Sequence, residues 1–152
     1  MSMSIRPARE SDLPVLLQFE QEIIKVERPF DSTLKNDTIH YYDLQQLLIS
    51  PTSEIVVAEI DNEVVGSGYG IIREADSFLE HSHFIYLGFM YVKPTQRGKG
   101  INRAILEKLK EWAISKGIHE IRLAVYNENS TAIKAYEKAG FKAHMLDMRI
   151  KV

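Results

Sequence analysis

The sequence predicts an α/β fold, in which a mixed sheet with a βαβ crossover at its centre is flanked by four helices. Strand and helix periodicities alternate along the chain in the order β-α-α-β-β-β-α-β-α-β. The chain has 152 residues, of which 45% are hydrophobic and 26% charged, as is typical of one globular domain, here residues 1–152. An apolar run at residues 84–92 precedes a long amphipathic helix, as expected of a buried strand in a βαβ unit.

The N-terminal third is predicted to contain one strand and two helices. Residues 4–7 have a strand pattern, and Asp12 is a suitable N-cap for a helix that runs to about residue 26. Its apolar positions recur at helical spacing, at Leu13, Leu16, Leu17, Ile23 and Ile24. Pro29 ends this helix, because the residue before a proline disfavours helical backbone. A second helix is predicted over residues 37–48.

A β-hairpin and a buried strand follow. Residues 54–60 and 63–72 are rich in β-formers and flank Asp61 and Asn62, a residue pair typical of a two-residue turn. Three glycines alternate in the second of these strands and share one face, which predicts a closely packed neighbour: Gly66, Gly68 and Gly70. The strand at residues 84–92 is apolar at nearly every position, so both of its faces are expected to be covered.

The C-terminal half is predicted to alternate helix and strand. A long helix covers about residues 98–116, and Gly117 ends it. Its buried stripe is predicted to be Ile101, Ile105, Leu109 and Trp112. A strand over 118–126, a short helix over 129–139 and a final strand over 141–150 complete the fold.

Composition excludes several classes of protein. The longest uninterrupted apolar stretch has nine residues, well short of the ~20 that span a bilayer. The N-terminus has no apolar core of a signal peptide, so we expect a cytoplasmic protein without a membrane partner. The chain contains no cysteine, which removes disulfides and thiolate nucleophiles. His81 and His83 have no third ligand nearby in the sequence, so no metal site is expected.

Charge is distributed unevenly along the chain. The 19 basic and 21 acidic side chains give a net charge of −2, which argues against nucleic-acid binding. Residues 1–92, however, carry a net charge of −9, and residues 93–152 carry +7. Either the two halves face partners of opposite charge, or their charges pair across the fold.

The turn before the long helix has the chemistry of an anion site. Gly98 and Gly100 permit a tight turn whose N–H groups point outward at the positive end of the helix dipole. Arg97 and Lys99 add positive charge, and residues 93–110 carry six basic side chains and one acidic one. An ordinary strand-to-helix turn with a solvated basic face would explain the same pattern. The Walker spelling Gly-x-x-x-x-Gly-Lys-Ser/Thr and the Rossmann spelling Gly-x-Gly-x-x-Gly are both absent.

A second motif lies in the short helix near the C-terminus. Asn129 is a predicted N-cap, Gly140 a predicted helix stop and Phe141 its hydrophobic contact. Ala132 and Tyr136 are four residues apart and share one helix face. Taken alone, Tyr136 would be read as a core tyrosine with its hydroxyl at the surface.

Together the two motifs resemble those of the GNAT superfamily of N-acyltransferases. The pyrophosphate motif of that family, Gln/Arg-x-x-Gly-x-Gly/Ala, aligns with Thr95, Gly98 and Gly100. Thr95 then replaces the usual Gln or Arg. Asn102 stands where a third glycine is frequent. The later motif is placed on Asn129, Ala132, Tyr136, Gly140 and Phe141. The resemblance covers essentially the whole chain and implies a mostly antiparallel sheet and acetyl-CoA, or coenzyme A, as cosubstrate.

The resemblance also implies roles for individual residues. Backbone groups near Met90 and Val92 would pair with the pantetheine arm, and the N–H of Met90, freed by a bulge, would stabilise the oxyanion. Asn129 and Tyr136 would line the far wall, with Tyr136 as the catalytic acid toward the thiolate of coenzyme A. The backbone N–H groups of the turn would hold the pyrophosphate, and they belong to Arg97, Gly98, Lys99, Gly100, Ile101 and Asn102.

An amine acceptor needs a base, because only about one alkylamine in ~2500 is neutral at pH 7. The candidates in the acidic half are Glu20, Glu22, Glu27, Asp31, Glu80, His81, His83 and Tyr86. We favour Glu27, because the helix-breaking residues after it place it in a loop near the usual acceptor groove of the family. A solvated surface carboxylate is the competing interpretation.

The sequence therefore predicts an N-acetyltransferase that transfers an acyl group, expected to be acetyl, from acyl-CoA directly to an amine. The acidic half favours a cationic acceptor, namely a polyamine, an amino sugar, an aminoglycoside or a protein lysine. Another acyl group, a non-amine acceptor, or a non-catalytic module that binds coenzyme A or a nucleotide are the alternatives. Dimers are common in the family, which leaves a homodimer open.

Overall fold

The computed structural model describes residues 2–152, which form one five-stranded sheet with helices on both faces. The strands are β1 (Met3–Pro7), β2 (Ser53–Ile60), β3 (Glu63–Glu74), β4 (His83–Val92) and β5 (Ile121–Arg122), and this is also their order in the sheet. The helices are α1 (Leu13–Glu27), α2 (Leu44–Ile49), α3 (Ile101–Ser115) and α4 (Ser130–Lys138). All pairings are antiparallel except that of β4 with β5. The mixed, mostly antiparallel sheet with four helices confirms the predicted fold class.

The hairpin between β2 and β3 forms where the sequence predicts it. Asp61 and Asn62 have φ values of 50° and 66°, the left-handed conformation that a two-residue turn requires and that Asp and Asn adopt more readily than other non-glycine residues. Ile60 pairs with Glu63 directly across this turn. The prediction from the two turn residues is confirmed.

Helix α3 packs against one face of the sheet, on the alternating glycines of β3. A Cβ added at Gly68 would lie 2.7 Å from Cγ2 of Ile105, and one at Gly70 would lie 3.0 Å from Cζ3 of Trp112. The glycines therefore allow the helix to approach closely, as predicted. The buried residues of this layer are Val56, Ala58, Ile60, Val65, Leu87, Ile101, Ile105, Leu106 and Leu109.

Helices α1 and α2 cover the opposite face. The buried residues there are Leu16, Phe19, Leu44, Ile55, Val57, Tyr69, Phe89 and Tyr91. Strand β4 thus contributes to both layers, which agrees with its apolar sequence. On its α3 side, however, Met90 and Val92 remain half-buried.

The start of α1 differs in detail from the prediction. Asp12 precedes the helix, but its carboxylate accepts hydrogen bonds from Nη1 of Arg6 at 2.8 Å and from the backbone N–H of Arg9 at 2.9 Å. The Asp12 carboxylate therefore connects β1 to the segment before α1 and does not cap the first turn of the helix. At the other end, the predicted break is present as a single 3₁₀ turn at Arg28–Phe30.

The second helix is shorter than predicted, because its first half is held by α1. The sequence predicts a helix over residues 37–48, whereas α2 begins at Leu44, with the Asp43 carboxylate accepting from the N–H of Gln46. The backbone N–H groups of Tyr41 and Tyr42 instead donate to the carboxylate of Glu20. These bonds satisfy the segment in a non-helical conformation.

The predicted strands after α3 are largely wrong. The sequence predicts strands over 118–126 and 141–150, but β5 contains only Ile121 and Arg122, and residues 141–152 adopt no regular structure. Because no further strand pairs with β5 among residues 2–152, the crossover from β4 through α3 lies at the edge of the sheet and not at its centre. A strand-like sequence pattern does not show which strand would pair with it. Here the backbone after Phe141 does not pair with β5, so no strand forms.

Residues 2–152 contain neither a bilayer-spanning helix nor a metal-binding cluster. None of the helices within residues 2–152 has the length and apolar character needed to cross a bilayer. No group of three histidine, aspartate or glutamate side chains in the same part of the chain lies close enough to hold a metal ion.

Candidate active site

A cleft opens where β4 and β5 diverge. The two strands pair only at Ile85 with Ile121 and at Tyr86 with Arg122, and residues 87–92 continue beyond the end of β5. The resulting cleft has a volume of about 300 Å³. Its walls are formed by Ile23, Val26, Glu27, Met90, Tyr91, Val92, Arg97, Asn102, Ala124, Val125, Asn129, Ala132 and Tyr136.

A β-bulge in β4 lies at this cleft. Ser67 pairs with Tyr91 and Tyr69 with Gly88, so that two residues of β4, Phe89 and Met90, oppose a single residue of β3. Phe89 has a φ of 58°, which is rare for a large side chain, and its carbonyl accepts a hydrogen bond from Ser67 Oγ at 3.0 Å. The predicted bulge is therefore present, and Met90 lies directly after its strained residue.

The turn before α3 is open to solvent and has two positively charged side chains. Gly98 and Gly100 have φ values of 78° and 79°, and a Cβ at either would meet no atom of the described chain within 4 Å. Gly100 is the N-cap of α3, and no side chain caps this end. Arg97 donates from Nε to the carbonyl of Val92 at 3.1 Å, and Lys99 donates to Gln96 at 2.9 Å. A helix N-terminus without a side-chain cap, free space beside both glycines and two cationic side chains together fit a diphosphate.

The helix starts later than the sequence predicts, and this affects the motif. The predicted start is residue 98, but the first helical residue is Ile101. The spacing Gln/Arg-x-x-Gly-x-Gly/Ala also fits Arg97, Gly100 and Asn102, two residues later than the placement on Thr95. In this second alignment the first residue is a normal Arg, the central glycine is the helix cap, and Asn102 is the only departure.

The wall opposite β4 is built by α4 and its two caps. Oδ1 of Asn129 accepts from the N–H of Ala132 at 3.2 Å, as an N-cap does. After the helix, Gly140 has a φ of 105°, and the N–H of Phe141 donates to the carbonyl of Tyr136 at 3.0 Å. The rings of Tyr136 and Phe141 meet edge to face at 5.6 Å. These caps were predicted from the sequence and fix the position of Tyr136.

Tyr136 is protonated at neutral pH. Burial raises the pKa of its phenol to about 12, and the negative charge of Glu27 contributes in the same direction. The hydroxyl is therefore a proton donor throughout the physiological range.

Glu27 lies in the same cleft, at the C-terminal end of α1. Its carboxylate is partly buried, and this burial raises its pKa above the ordinary value for glutamate. The cleft thus contains a carboxylate that binds a proton more readily than usual together with a phenol that holds its proton. Such a pair can take a proton at one side of a reacting bond and supply one at the other.

The charge of Glu27 acts on three tyrosines, one of which hydrogen-bonds to a second carboxylate, and sequence reasoning did not group these residues. Oη of Tyr41 is buried and has no hydrogen-bond partner among residues 2–152. Burial raises the pKa of Tyr41, Tyr42 and Tyr126, and the charge of Glu27 contributes to each shift. Tyr126 donates to Oδ2 of Asp31 at 3.3 Å. Only contacts between distant parts of the chain reveal this group.

The predicted cofactor residues divide into three sets. Gly98, Lys99 and Gly100 are exposed on the turn beside the cleft, with free space next to both glycines. Ile101 is buried in the core, so only its backbone is available to a ligand. The remaining residues line the cleft itself: Met90, Val92, Arg97, Asn102, Asn129 and Tyr136.

Most of the other candidate bases lie outside this cleft. Glu20 is fully buried and accepts three hydrogen bonds, so it is structural. Glu22 is exposed on α1, and the ring of Tyr86 lies under the Arg73 guanidinium at 4.0 Å. The loop before β4 forms a separate cleft that contains Glu80, His81 and His83.

Comparison with known proteins identifies relatives over most of the chain. Residues 20–141 match the acetyltransferase (GNAT) family. The thialysine N-epsilon-acetyltransferase of Sus scrofa is 32% identical over 146 residues, which are 91% of this chain and 84% of the relative. An L-methionine sulfoximine/L-methionine sulfone acetyltransferase of Pseudomonas aeruginosa is 29% identical over 152 residues, covering 93% and 81%.

Solved structures share the fold. A point mutant of the BH1408 protein from Bacillus halodurans superposes with a TM-score of 0.89 at 17% identity, covering 98% of this chain and 99% of that one. A predicted acetyltransferase from Clostridium acetobutylicum, solved with acetyl-CoA, superposes with a TM-score of 0.76 at 20% identity, covering 99% and 96%.

Proposed function

The chain belongs to the acetyltransferase (GNAT) family and is an N-acetyltransferase that uses acetyl-CoA, and from this premise we propose that it acetylates a primary amine of a small molecule. The observation that carries the proposal is the presence of Glu27 and Tyr136 in one cleft, beside the bulge at Met90. The family and its named acetyltransferases decide against a non-catalytic module that only binds coenzyme A.

Acetyl-CoA supplies an acetyl group activated as a thioester. The turn would hold the diphosphate through backbone N–H groups of residues 98–102 and the charges of Arg97 and Lys99, whereas the N–H of Arg97 already donates to the carbonyl of Pro94. Residues 87–92 extend beyond the end of β5, so backbone groups of Met90 and Val92 are available to pair with an extended pantetheine arm. Asn129 would form the opposite wall.

Proton transfer would be divided between two side chains. Glu27 takes the proton from the acceptor ammonium, directly or through water, and its raised pKa makes it a stronger base than an exposed carboxylate. As the amine nitrogen bonds to the carbonyl carbon and the C–S bond breaks, Tyr136 gives its proton to the sulfur. The N–H of Met90 would polarise the carbonyl oxygen. Transfer is direct, since the chain contains no cysteine to carry an acyl group.

The nature of the acceptor is supported by charge and by the relatives. The cleft carries the carboxylate of Glu27, and that of Asp31 lies beside the adjoining tyrosines, which favours a cationic acceptor. The relatives at 29% to 32% identity are named for small substrates, thialysine and methionine sulfoximine. A small amine is therefore a better candidate than a protein lysine.

The test is thiol release from acetyl-CoA by the purified protein in the presence of an amine panel. The panel contains linear monoamines and diamines, amino acids with a side-chain amine, an aminoglycoside and a lysine-containing peptide. Thiol release that depends on a small amine is expected, with reactions lacking protein or acceptor as controls. Release with the peptide alone would overturn the small-molecule acceptor, and a burst of thiol before any acceptor is added would overturn direct transfer.

A further inference from the structure

A second carboxylate near the cleft, that of Asp31, forms an ion pair with Arg149 of the same chain. Nη2 of Arg149 lies 2.8 Å from Oδ1 of Asp31, and Nη1 of Arg149 donates to Oγ1 of Thr33 at 3.2 Å. Only 13% of the Asp31 side chain is exposed, compared with 66% of Arg149. A guanidinium from a distant part of the sequence thus pairs with this carboxylate and helps to shield it from solvent.

Arg149 belongs to an arm that is otherwise loosely attached. We call residues 142–152 the C-terminal arm; all of them are exposed and none is in a helix or strand. Its apolar side chains are also in solvent, with Met145 84% and Ile150 87% exposed. Within residues 2–152, hydrogen bonds from the arm to the rest of the protein reach only Asp31 and Thr33. An ion pair whose arginine side chain is 66% exposed holds a segment weakly, so the arm can be displaced.

Asp31 is connected to the cleft through Tyr126. The Tyr126 hydroxyl donates to Oδ2 of Asp31, and the Tyr126 ring packs on Phe30 at 5.9 Å. Burial raises the pKa of Tyr126, and the charges of Asp31 and Glu27 contribute to the same shift. Ala124 and Val125, immediately before Tyr126, line the cleft. An acceptor whose amine meets Glu27 would therefore extend along Tyr126 toward Asp31.

We propose that Asp31 binds a second cationic group of the acceptor, and that Arg149 occupies this carboxylate until the acceptor displaces it. The preferred acceptors would then carry two positive groups, an ammonium that reacts and an ammonium or guanidinium that is held. A local role explains part of the arrangement, since Oδ1 of Asp31 also accepts from the N–H and hydroxyl of Thr33 and shapes the turn. It does not explain why an arginine 118 residues away binds the same oxygen.

The inference rests on the proposed function, and the test compares two amines of equal length. KM and kcat are measured for cadaverine, which has two ammonium groups, and for pentylamine, which has one. Asp31→Asn should raise the KM for cadaverine about tenfold, the loss expected for one charge-assisted contact, and leave that for pentylamine unchanged. Arg149→Gln should lower the KM for cadaverine severalfold, because the competing cation is gone. The kcat values should change little.

Matched variants control for charge alone. Asp37→Asn removes an exposed carboxylate from the same loop, and Lys151→Gln removes a cation from the same arm; both should leave the two KM values near those of the wild type. Asparagine keeps an oxygen for the Thr33 bonds, and circular dichroism and the melting temperature check that Asp31→Asn is folded.

Several outcomes would overturn the inference. An equal rise in KM for both amines would make Asp31 a residue of the general fold, and no rise would remove it from acceptor binding. A higher KM for cadaverine in Arg149→Gln would show that Arg149 contacts the acceptor instead of competing with it. If no amine releases thiol, the proposed function fails by itself. Calorimetric titration of cadaverine into the wild type and Asp31→Asn then still decides whether Asp31 binds a diamine.

Discussion

The buried carboxylate of Glu20 holds the segment at residues 40–42, and its removal should lower stability substantially. Oε2 of Glu20 accepts from the backbone N–H groups of Tyr41 at 2.8 Å and Tyr42 at 2.9 Å, and Oε1 lies 2.8 Å from Nδ1 of His40. A hydrogen bond to a charged group contributes about 1.5–3 kcal/mol. Glu20→Ala leaves both N–H groups without this acceptor and opens a cavity, so we expect the free energy of unfolding to fall by about 3–5 kcal/mol.

The conservative variant gives the sharper comparison. Both N–H groups donate to the same oxygen, so the amide oxygen in Glu20→Gln can retain both bonds, while its NH₂ group can donate to Nδ1 of His40 in the tautomer that leaves this nitrogen as an acceptor. Loss of the charge alone should cost about 1 kcal/mol. For a chain of this length, ~1 kcal/mol shifts the melting temperature by about 2–4 °C, so the alanine variant should melt about 10 °C lower.

Urea unfolding followed by the fluorescence of Trp112, the single tryptophan of the chain, measures these differences. Glu22→Ala, on the exposed side of the same helix, is the matched control and should stay within about 0.5 kcal/mol of the wild type. If alanine at position 20 is no more destabilising than glutamine, the segment at 39–42 is held by other contacts and the reasoning fails. A raised KM for the acceptor in Glu20→Ala would accompany the loss of stability, since Tyr41 adjoins Glu27.

Three further predictions concern the cleft. Tyr136→Phe should lower kcat about 100-fold and leave the calorimetric Kd for coenzyme A within about twofold, because only the proton donor is removed; unchanged kcat would assign the proton to water. Gly98→Val should abolish binding of coenzyme A, because its side chain fills the space of the diphosphate, whereas Gly117→Val, at a similar φ of 71°, should lose stability alone; wild-type affinity in the first variant would refute this. Glu27→Gln should lower kcat and raise the melting temperature at pH 7. Burial raises the pKa of Glu27, so the folded state binds the proton more tightly than the unfolded state, and stability increases as pH falls through the raised pKa. Wild-type kcat should fall over that same range, because the base becomes protonated, and a pH-independent kcat would exclude Glu27 as the base.

Features set by neighbouring residues could be predicted from the sequence. The turn at Asp61 and Asn62 and the caps of α4 at Asn129 and Gly140 depend on backbone conformations that a few residue types favour. The alternating glycines of β3 report their packing directly, because the missing Cβ atoms lie on one face. These local signals also located both segments that border the cleft, although the glycine motif fits better two residues after the predicted placement on Thr95.

Features that depend on a distant partner could not be predicted. Residues 37–43 have a helical pattern, but the Glu20 carboxylate accepts from the backbone N–H groups of Tyr41 and Tyr42 and stabilises a non-helical conformation. Glu20 lies about twenty positions earlier, so the local pattern cannot reveal this contact. Residues 141–150 alternate in polarity as a strand does, but a strand needs a neighbour, and β5 ends after two residues.

The site shows the same division. Glu27 became a candidate from the helix break that follows it, and the structure adds a reason, its burial in the cleft. The contact between Tyr126 and Asp31 joins residues 95 positions apart, and that between Arg149 and Asp31 joins residues 118 apart. No spacing rule connects such positions, so the second carboxylate could be found only in the folded chain.

The short pairing of β5 makes the unliganded sheet weakest beside the cleft in which we propose that acetyl-CoA binds. Only two residue pairs join β5 to the rest of the sheet. The amide protons of β5 should therefore be among the first of the sheet to exchange with solvent. A ligand lying between β4 and α4 bridges this weak junction, and its binding energy adds to the stability of the folded state, by about 2.7 kcal/mol when its concentration is ~100 times Kd. Cofactor supply would then set the cellular lifetime of the enzyme as well as its rate.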